Sequence, residues 1–187
     1  GSLFNRFEAG IDTGPHLALL SIDVDQSVAW LDSDYGADLP IRNLQSRAQA
    51  ELLYVARLGR IIGPYGRANI TTSYLPQDYF PGEAVLVDTR DEAGNLIQQE
   101  AHQPFARINL FKAGSPIVLQ QGVGVSITPV VNEIVDIGLR AGPSARQAFY
   151  RDGRFVDDAQ PGRVFLERVD ARVEFGGEAT ATAGLRV

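Results

Sequence analysis

A two-residue alternation between residues 44 and 74 constrains this chain more than any other feature of its sequence. From residue 44 to residue 58, one alternate set is apolar except for Ser46, and the other is polar except for Leu53 and Val55. A period of two is typical of a β-strand with two unlike faces. A turn rich in Gly and Pro follows, and the alternation then returns. The pattern predicts a β-hairpin.

The length of the first run points beyond an ordinary globular sheet. It covers about 15 residues, whereas strands of globular proteins usually have roughly 5–6. A tilted strand needs about 9–11 residues to cross the core of a bilayer. Weaker copies of the alternation recur along the whole chain. We therefore predict an all-β fold, an antiparallel up-and-down β-barrel of about nine or ten strands that spans a membrane, or a fragment of a larger barrel.

The 187 residues are expected to form a single domain, residues 1–187. Residues 75–104 are predicted to be a long loop that carries a small hairpin, with strands at 84–88 and 96–99. Asp152-Gly153 is a two-residue hairpin signal between two apolar pairs. Gly176-Gly177 is interpreted as a turn between the last two strands.

Composition excludes several classes of protein. The net charge of -6 and the pI near 4.9 argue against a nucleic-acid-binding surface. Without cysteine the chain has neither disulfides nor thiolate metal sites. No run approaches about 18 consecutive apolar residues, which a transmembrane helix would need.

Lys112 is the only lysine among 17 basic residues. A GC-rich genome explains this bias, and so do arginines held in fixed ion pairs within a polar interior.

Periodicity alone does not decide which face of the strands is enclosed. In a soluble barrel the apolar face points to the core, and in a membrane barrel it points to lipid while the polar face lines the lumen. We favour the membrane arrangement, because the strands are long and the polar face mixes both signs of charge. The lumen-lining residues are then predicted to be Arg47, Gln49, Glu51, Arg67, Asn69, Arg107, Asp136, Arg140, Arg168, Asp170, Arg172 and Glu174.

Aromatic residues near the predicted strand ends are expected to form two interfacial belts, as in many membrane proteins. These residues are Trp30, Tyr54, Tyr65, Tyr74, Phe105, Phe111 and Phe175. The alternative is that they are ordinary core aromatics.

Three segments resemble an uncharacterised family of bacterial outer-membrane β-barrels, one catalogued as a domain of unknown function. They are residues 63–72 with Pro76 and Tyr79-Phe80, residues 121–125, and residues 139–147. The resemblance covers about residues 40–155 and consists of strand glycines and aromatics. It implies an outer-membrane barrel without an assigned activity. Barrels of this family carry further C-terminal strands, so the resemblance also implies strands beyond those visible in this chain.

No motif in the chain predicts catalysis. His16 opens a strand and His102 lies in the long loop, and neither accompanies a nucleophile elbow. The acidic loop with Asp32, Asp34 and Asp38 lacks the downstream Glu of a calcium loop. Gly122 and Gly124 lie within a strand, so they are not a dinucleotide-binding motif. We predict a protein without a catalytic site, metal or cofactor.

The expected function is that of a non-enzymatic outer-membrane β-barrel with a structural or small-solute transport role. Its expected partner is the lipid bilayer, not nucleic acid, together with further copies of the chain or missing strands of a longer one. The alternative is a soluble, lipocalin-like barrel, periplasmic or secreted, that binds an apolar ligand inside. The two hypotheses differ in which face of the strands is enclosed.

Overall fold

The structure, a computed structural model, describes residues 2–29, 42–58, 61–131 and 135–185. These residues form thirteen β-strands, mostly antiparallel. In chain order they are β1 (Ser2–Asp12), β2 (His16–Ala29), β3 (Arg42–Ala56), β4 (Ile62–Thr72), β5 (Gln77–Tyr79), β6 (Val85–Arg90), β7 (Leu96–His102), β8 (Ile108–Phe111), β9 (Ile117–Val131), β10 (Val135–Phe149), β11 (Arg154–Gln160), β12 (Arg163–Arg168) and β13 (Arg172–Leu185). The prediction of an all-β, largely antiparallel fold is confirmed, whereas the predicted nine or ten strands are too few, because the module contributes six strands of its own.

Seven long strands make one antiparallel sheet in the order β1-β2-β3-β4-β9-β10-β13. Each strand lies beside the preceding long strand in the chain, as an up-and-down arrangement requires. The predicted hairpin is β3–β4, in which Leu52 lies opposite Ala68. Within the described residues this sheet is not closed into a barrel, since β1 and β13 each have a strand neighbour on one side only.

The remaining six strands form a second unit, which we call the module, from residues 73–116 and 150–171. It contains a four-stranded sheet in the order β11-β12-β6-β7 and the two-stranded β5–β8 sheet. The hairpin expected within residues 75–104 is present as β6–β7. However, β12 pairs in parallel with β6, so this segment is part of a folded unit rather than a separate loop.

Two predicted turns are wrong. Asp152-Gly153 connects β10 to β11, and the neighbouring hairpin turns instead at residues 161–162, where Gly162 has φ of 71°. Gly176-Gly177 lies inside β13, opposite Ser144 and Pro143 of β10. Strand pairing with β10 continues through both glycines, so the local turn propensity of this pair is overridden.

The module joins the sheet through a compact set of polar contacts. Ser46 of β3 and Ser73 after β4 share a buried hydrogen bond of 2.8 Å. The Gly114 amide donates to the Ser73 carbonyl at 2.7 Å, and the Arg151 amide donates to the Ser115 hydroxyl at 3.0 Å. Three of the four places where the chain passes between the sheet and the module are therefore tied together at one end of the sheet.

The largest buried apolar cluster lies in the module, not in the long sheet. It consists of Val85, Val87, Ile108, Val164 and Leu166. A smaller cluster on the long sheet contains Leu53, Val55 and Tyr65, with Leu17 packed against it. No helix that could cross a membrane occurs among the described residues.

Candidate functional site

The two faces of the seven-stranded sheet differ in both chemistry and exposure. One face, which we call the outer face, presents apolar side chains such as Leu52, which is 51% exposed, and Val123, which is 60% exposed. The strand registers place Ala50, Ala68 and Gln121 on this same face. At its described positions within the seven strands, the outer face carries no Asp, Glu, Lys or Arg.

The opposite face, the concave face, carries a connected network of charges at its centre. Arg67 of β4 lies 3.2 Å from Glu178 of β13 and 3.7 Å from Glu51 of β3, measured between nitrogen and oxygen atoms. The Tyr65 hydroxyl donates to Glu178 at 2.8 Å, and the Asn69 amide donates to Glu51 at 3.4 Å. One guanidinium thus bridges two carboxylates from different strands, a role that suits its planar set of donors.

The contact between β4 and β13 crosses two intervening strands, and a glycine makes room for it. In the strand order, β9 and β10 lie between the strands that carry Arg67 and Glu178. Gly122 of β9 lies opposite Arg67, and a Cβ atom placed there would lie 2.1 Å from Glu178 Oε1. The carboxylate therefore occupies the space above Gly122. The sheet must curl toward its polar face for this contact to form.

A cavity on the concave face shows the same curvature on a larger scale. It has a volume of about 300 Å³, and its lining includes Arg6 and Glu8 of β1, Glu51 of β3 and Arg140 of β10. β1 and β10 are five places apart in the strand order. The Nη1 atom of Arg140 is buried and has no hydrogen-bond partner among the described residues.

Further ion pairs extend along the concave face toward both ends. Arg146 lies 3.1 Å from Glu174, and these residues face each other across β10 and β13. Arg57 lies 2.8 Å from Asp12 at the short-turn end. The small cluster of Leu53, Val55 and Tyr65 also occupies this face. The concave face therefore carries ion pairs along its length, together with a few bulky apolar side chains.

The sheet brings together a large part of the predicted lumen set. The residues that lie on its concave face are Arg47, Gln49, Glu51, Arg67, Asn69, Arg140 and Glu174. Arg172 begins β13, but its guanidinium lies 3.3 Å from Glu92 of the module. The side chain of Asp136 lies outside those that the structure describes.

Three predicted lumen residues belong to the module, and their assignment to the lumen is wrong. Arg107 lies 2.9 Å from Asp78 of β5, Arg168 ends β12, and Asp170 lies between β12 and β13. Alternation through residues 164–175 suggested one strand, whereas the chain there leaves the module and enters the sheet. The period of two was present, but it belonged to two different strands.

The predicted aromatic belts are only partly reproduced. Tyr54 is exposed on the outer face, where its hydroxyl lies 2.8 Å from Nδ1 of His16, and Phe175 is 84% exposed on β13. Tyr74 is half-buried, with its hydroxyl 3.4 Å from the Asp25 carbonyl. Trp30 lies outside the described residues.

Three aromatics do not lie on the outer face, which corrects their assignment to a belt. Tyr65 is buried on the concave face because it pairs with Glu178. Phe111 is buried in the module, 4.9 Å from Phe155 between ring centroids. Phe105 lies between β7 and β8 with φ of 60°. Proximity to an apparent turn did not distinguish strand ends of the sheet from parts of the module.

Sequence reasoning missed the most connected acid of the site, Glu178. The signal was present, because Glu174, Gly176, Glu178 and Thr180 continue one alternate set through the two glycines. Reading Gly176-Gly177 as a turn broke that set. Glu8 and Tyr65 were also missed as members of the concave face.

The two histidines lie apart from this network. His16 contacts Tyr54 at the outer face, and Nε2 of His102 lies 3.5 Å from Glu100 of the module. Among the described residues, no group of three or more His, Asp or Glu side chains could hold a metal ion. Comparison of the chain with protein-family models, with curated proteins and with solved structures found no match. The resemblance to an outer-membrane barrel family thus stays a prediction.

Proposed function

We propose that this chain is a non-enzymatic β-barrel protein of the bacterial outer membrane. One observation carries the proposal: the uncharged, apolar outer face is exposed, while the ionic side chains are gathered on the concave face. In water, a wide apolar surface of this kind is unfavourable and marks a site of association. In a bilayer it is the expected arrangement, with apolar residues toward lipid and polar residues toward the lumen.

The open edges of the sheet define what must close such a barrel. β1 and β13 both run from the module end of the sheet toward the short-turn end. Direct pairing of these two edges would be parallel, whereas every other pairing in this sheet is antiparallel. An odd number of additional strands between β13 and β1 would make every pairing of the closed barrel antiparallel. Closure is required in a bilayer, because unpaired backbone groups at a lipid-exposed edge are very costly.

The proposed orientation follows from the two ends of the sheet. The connections at residues 13–15 and 57–61 are short, whereas the module occupies the other end. Outer-membrane barrels have short periplasmic turns and longer extracellular loops. We place the module outside the cell on this basis.

The lumen of this barrel would be narrow. With one further strand the sheet would have about eight strands, and barrels of that size are largely filled by their own side chains. Glu51, Arg67 and Glu178 already cross the concave space. A structural role, or passage of small polar solutes only, fits this arrangement better than a wide pore. The lipocalin-like alternative would instead need an apolar interior, whereas the concave face is mainly ionic.

Fractionation of the native protein tests the proposal. We expect the protein in the outer-membrane pool, resistant to extraction by alkaline carbonate and released by detergent. A peripheral protein would be released by carbonate, which provides the comparison within the same experiment. A monodisperse soluble monomer obtained without detergent would overturn the membrane assignment.

A further inference from the structure

The module contains a polar groove that the membrane proposal does not use. The groove lies between the four-stranded sheet and the β5–β8 sheet and has a volume of about 390 Å³. Four basic residues line it: Arg107, Lys112, Arg154 and Arg168. The acids in its lining are Glu100 and Asp152. Positive charge therefore exceeds negative charge here, although the chain as a whole has a net charge of -6.

Two of these arginines lie directly opposite each other in neighbouring strands. Arg154 of β11 pairs in register with Arg168 of β12. They share the side of the sheet that carries Leu166, which is buried in the module core. Like charges directly opposite across a strand pair are destabilising. A fold that places two guanidinium groups at this position therefore carries a repulsion that a bound anion would relieve.

The other charges of the groove do not cancel this repulsion. Arg107 is paired with Asp78, and Lys112 is paired with Asp152. The pKa of Asp152 lies below its ordinary value, mainly because Lys112 donates a hydrogen bond to this carboxylate. The positive charges of Arg168 and Arg151 lower the pKa further. Within the part of the chain that the structure describes, Arg154 and Arg168 have no carboxylate within salt-bridge distance.

We propose that this groove binds a phosphate group, held between the guanidinium groups of Arg154 and Arg168. Arginine binds tetrahedral oxyanions through two parallel N–H donors, so two facing arginines can hold several oxygens of one phosphate. Lys112 and His102 lie in the same lining and can add further donors. The phosphate can belong to a lipid headgroup or to a soluble molecule, since the same chemistry recognises both.

Binding of inorganic phosphate to the full chain in detergent tests the site directly. The variants Arg154→Gln and Arg168→Gln should each weaken phosphate binding about tenfold or more, because each removes charged hydrogen bonds. Arg172→Gln is the matched control, since Arg172 pairs with Glu92 and does not line the groove. Its phosphate affinity should equal that of the unaltered protein.

A second measurement distinguishes binding from simple structural roles of the arginines. Without phosphate, Arg154→Gln should raise the thermal midpoint of the module, because the facing charges no longer repel. With saturating phosphate, the unaltered protein should instead have the higher thermal midpoint.

A vesicle experiment identifies the source of the phosphate group. Binding to vesicles with and without a phosphate-monoester lipid is compared with binding of free phosphate. Preference for the vesicle indicates a headgroup, and equal binding indicates a soluble ligand.

Two results would overturn the proposal. The first is no binding of either free phosphate or phosphate-bearing vesicles by the unaltered protein. The second is binding that the Arg154→Gln and Arg168→Gln variants retain at full affinity.

Discussion

Two leucines show how differently the two parts of this molecule use the same kind of side chain. Leu166 of the module is completely buried, while Leu52 of the long sheet is 51% exposed. The central ion pair of the sheet and two basic residues of the module show the reverse difference. Arg67 and Glu178 of the sheet are mostly covered, with side-chain exposures of 18% and 11%, whereas Arg107 and Lys112 of the module are 58% and 52% exposed.

The module therefore provides a comparison, within the same chain, with a protein that is surrounded by water. Its core, which includes Leu166, follows the usual rule that aliphatic residues are enclosed. The sheet departs from that rule within the same chain and the same structure. A general tendency of the chain toward loose packing would affect both parts, so the difference points to different surroundings for the sheet and the module.

The largest expected effect comes from opening the module core. Leu166→Ala should destabilise the module by about 2–5 kcal/mol, the usual range for a buried leucine. Leu96→Ala in β7 is the control, because Leu96 is already exposed. Chemical denaturation followed through the module's hydrogen exchange measures both. Equal effects of the two substitutions would contradict the assignment of the core.

A charge placed on the outer face tests the other side of the comparison. Ala50→Arg should cost about 2–4 kcal/mol if this position lies near the middle of a bilayer. Gln49→Arg puts the same side chain on the concave face and should insert normally. The folded fraction in lipid vesicles, measured by a heat-dependent shift in electrophoretic mobility, reports both. Normal insertion of Ala50→Arg would contradict the lipid-facing placement.

A smaller effect is expected where Glu178 crosses β9. Gly122→Ala places a methyl group in the space that this carboxylate occupies, so Glu178 must move away from Arg67 and Tyr65. Overpacking of this kind typically costs about 1–3 kcal/mol. Gly66→Ala is the control, since a Cβ atom there meets nothing within 4 Å. Denaturant titration of both variants should separate them, and similar stabilities would argue against the crossing contact.

The smallest effect concerns the pH dependence of the module. The pKa of Asp88 lies below its ordinary value of 3.8, first because the Gln99 amide donates to it at 2.7 Å and then because of Arg163. A carboxyl group with a lowered pKa in the folded state stabilises the fold above its unfolded pKa. This contribution is lost as the pH falls below 3.8 through the lower folded value.

Acid titration of module unfolding tests that statement. Stability should fall on acidification below pH 3.8, and Asp88→Asn should make the decline shallower. Asp91 and Asp152 also have lowered pKa values, so part of the decline should remain. An unchanged slope in the Asp88→Asn variant would contradict the role of this carboxylate.

Sequence alone was sufficient where one local signal governed the structure. The alternation around Leu52 predicted β3 and β4 and the separation of Glu51 and Arg67 from the apolar set, because strand geometry directly fixes side-chain direction. The parallel pairing of Val164 with Val87 was not predictable in this way. It joins segments far apart in the chain, and no local pattern records which distant strand a given strand will meet.

The same limit explains the errors in the site. Gly176-Gly177 has strong turn propensity, but the neighbouring strand β10 keeps both residues in the sheet. Arg168 and Glu174 alternate in phase, yet the chain changes sheets between them. Pairing partners decide both cases, and partners are a property of the folded molecule.

The most direct test of the account measures which side of the sheet meets acyl chains. The chain has no native cysteine, so single labels can be placed at Ala50→Cys on the outer face and Gln49→Cys on the concave face. With the protein in lipid vesicles, a spin label at residue 50 should be relaxed mainly by oxygen, which concentrates in lipid, and a label at residue 49 mainly by a water-soluble nickel reagent. The opposite pattern, or relaxation by nickel at both positions, would contradict the account.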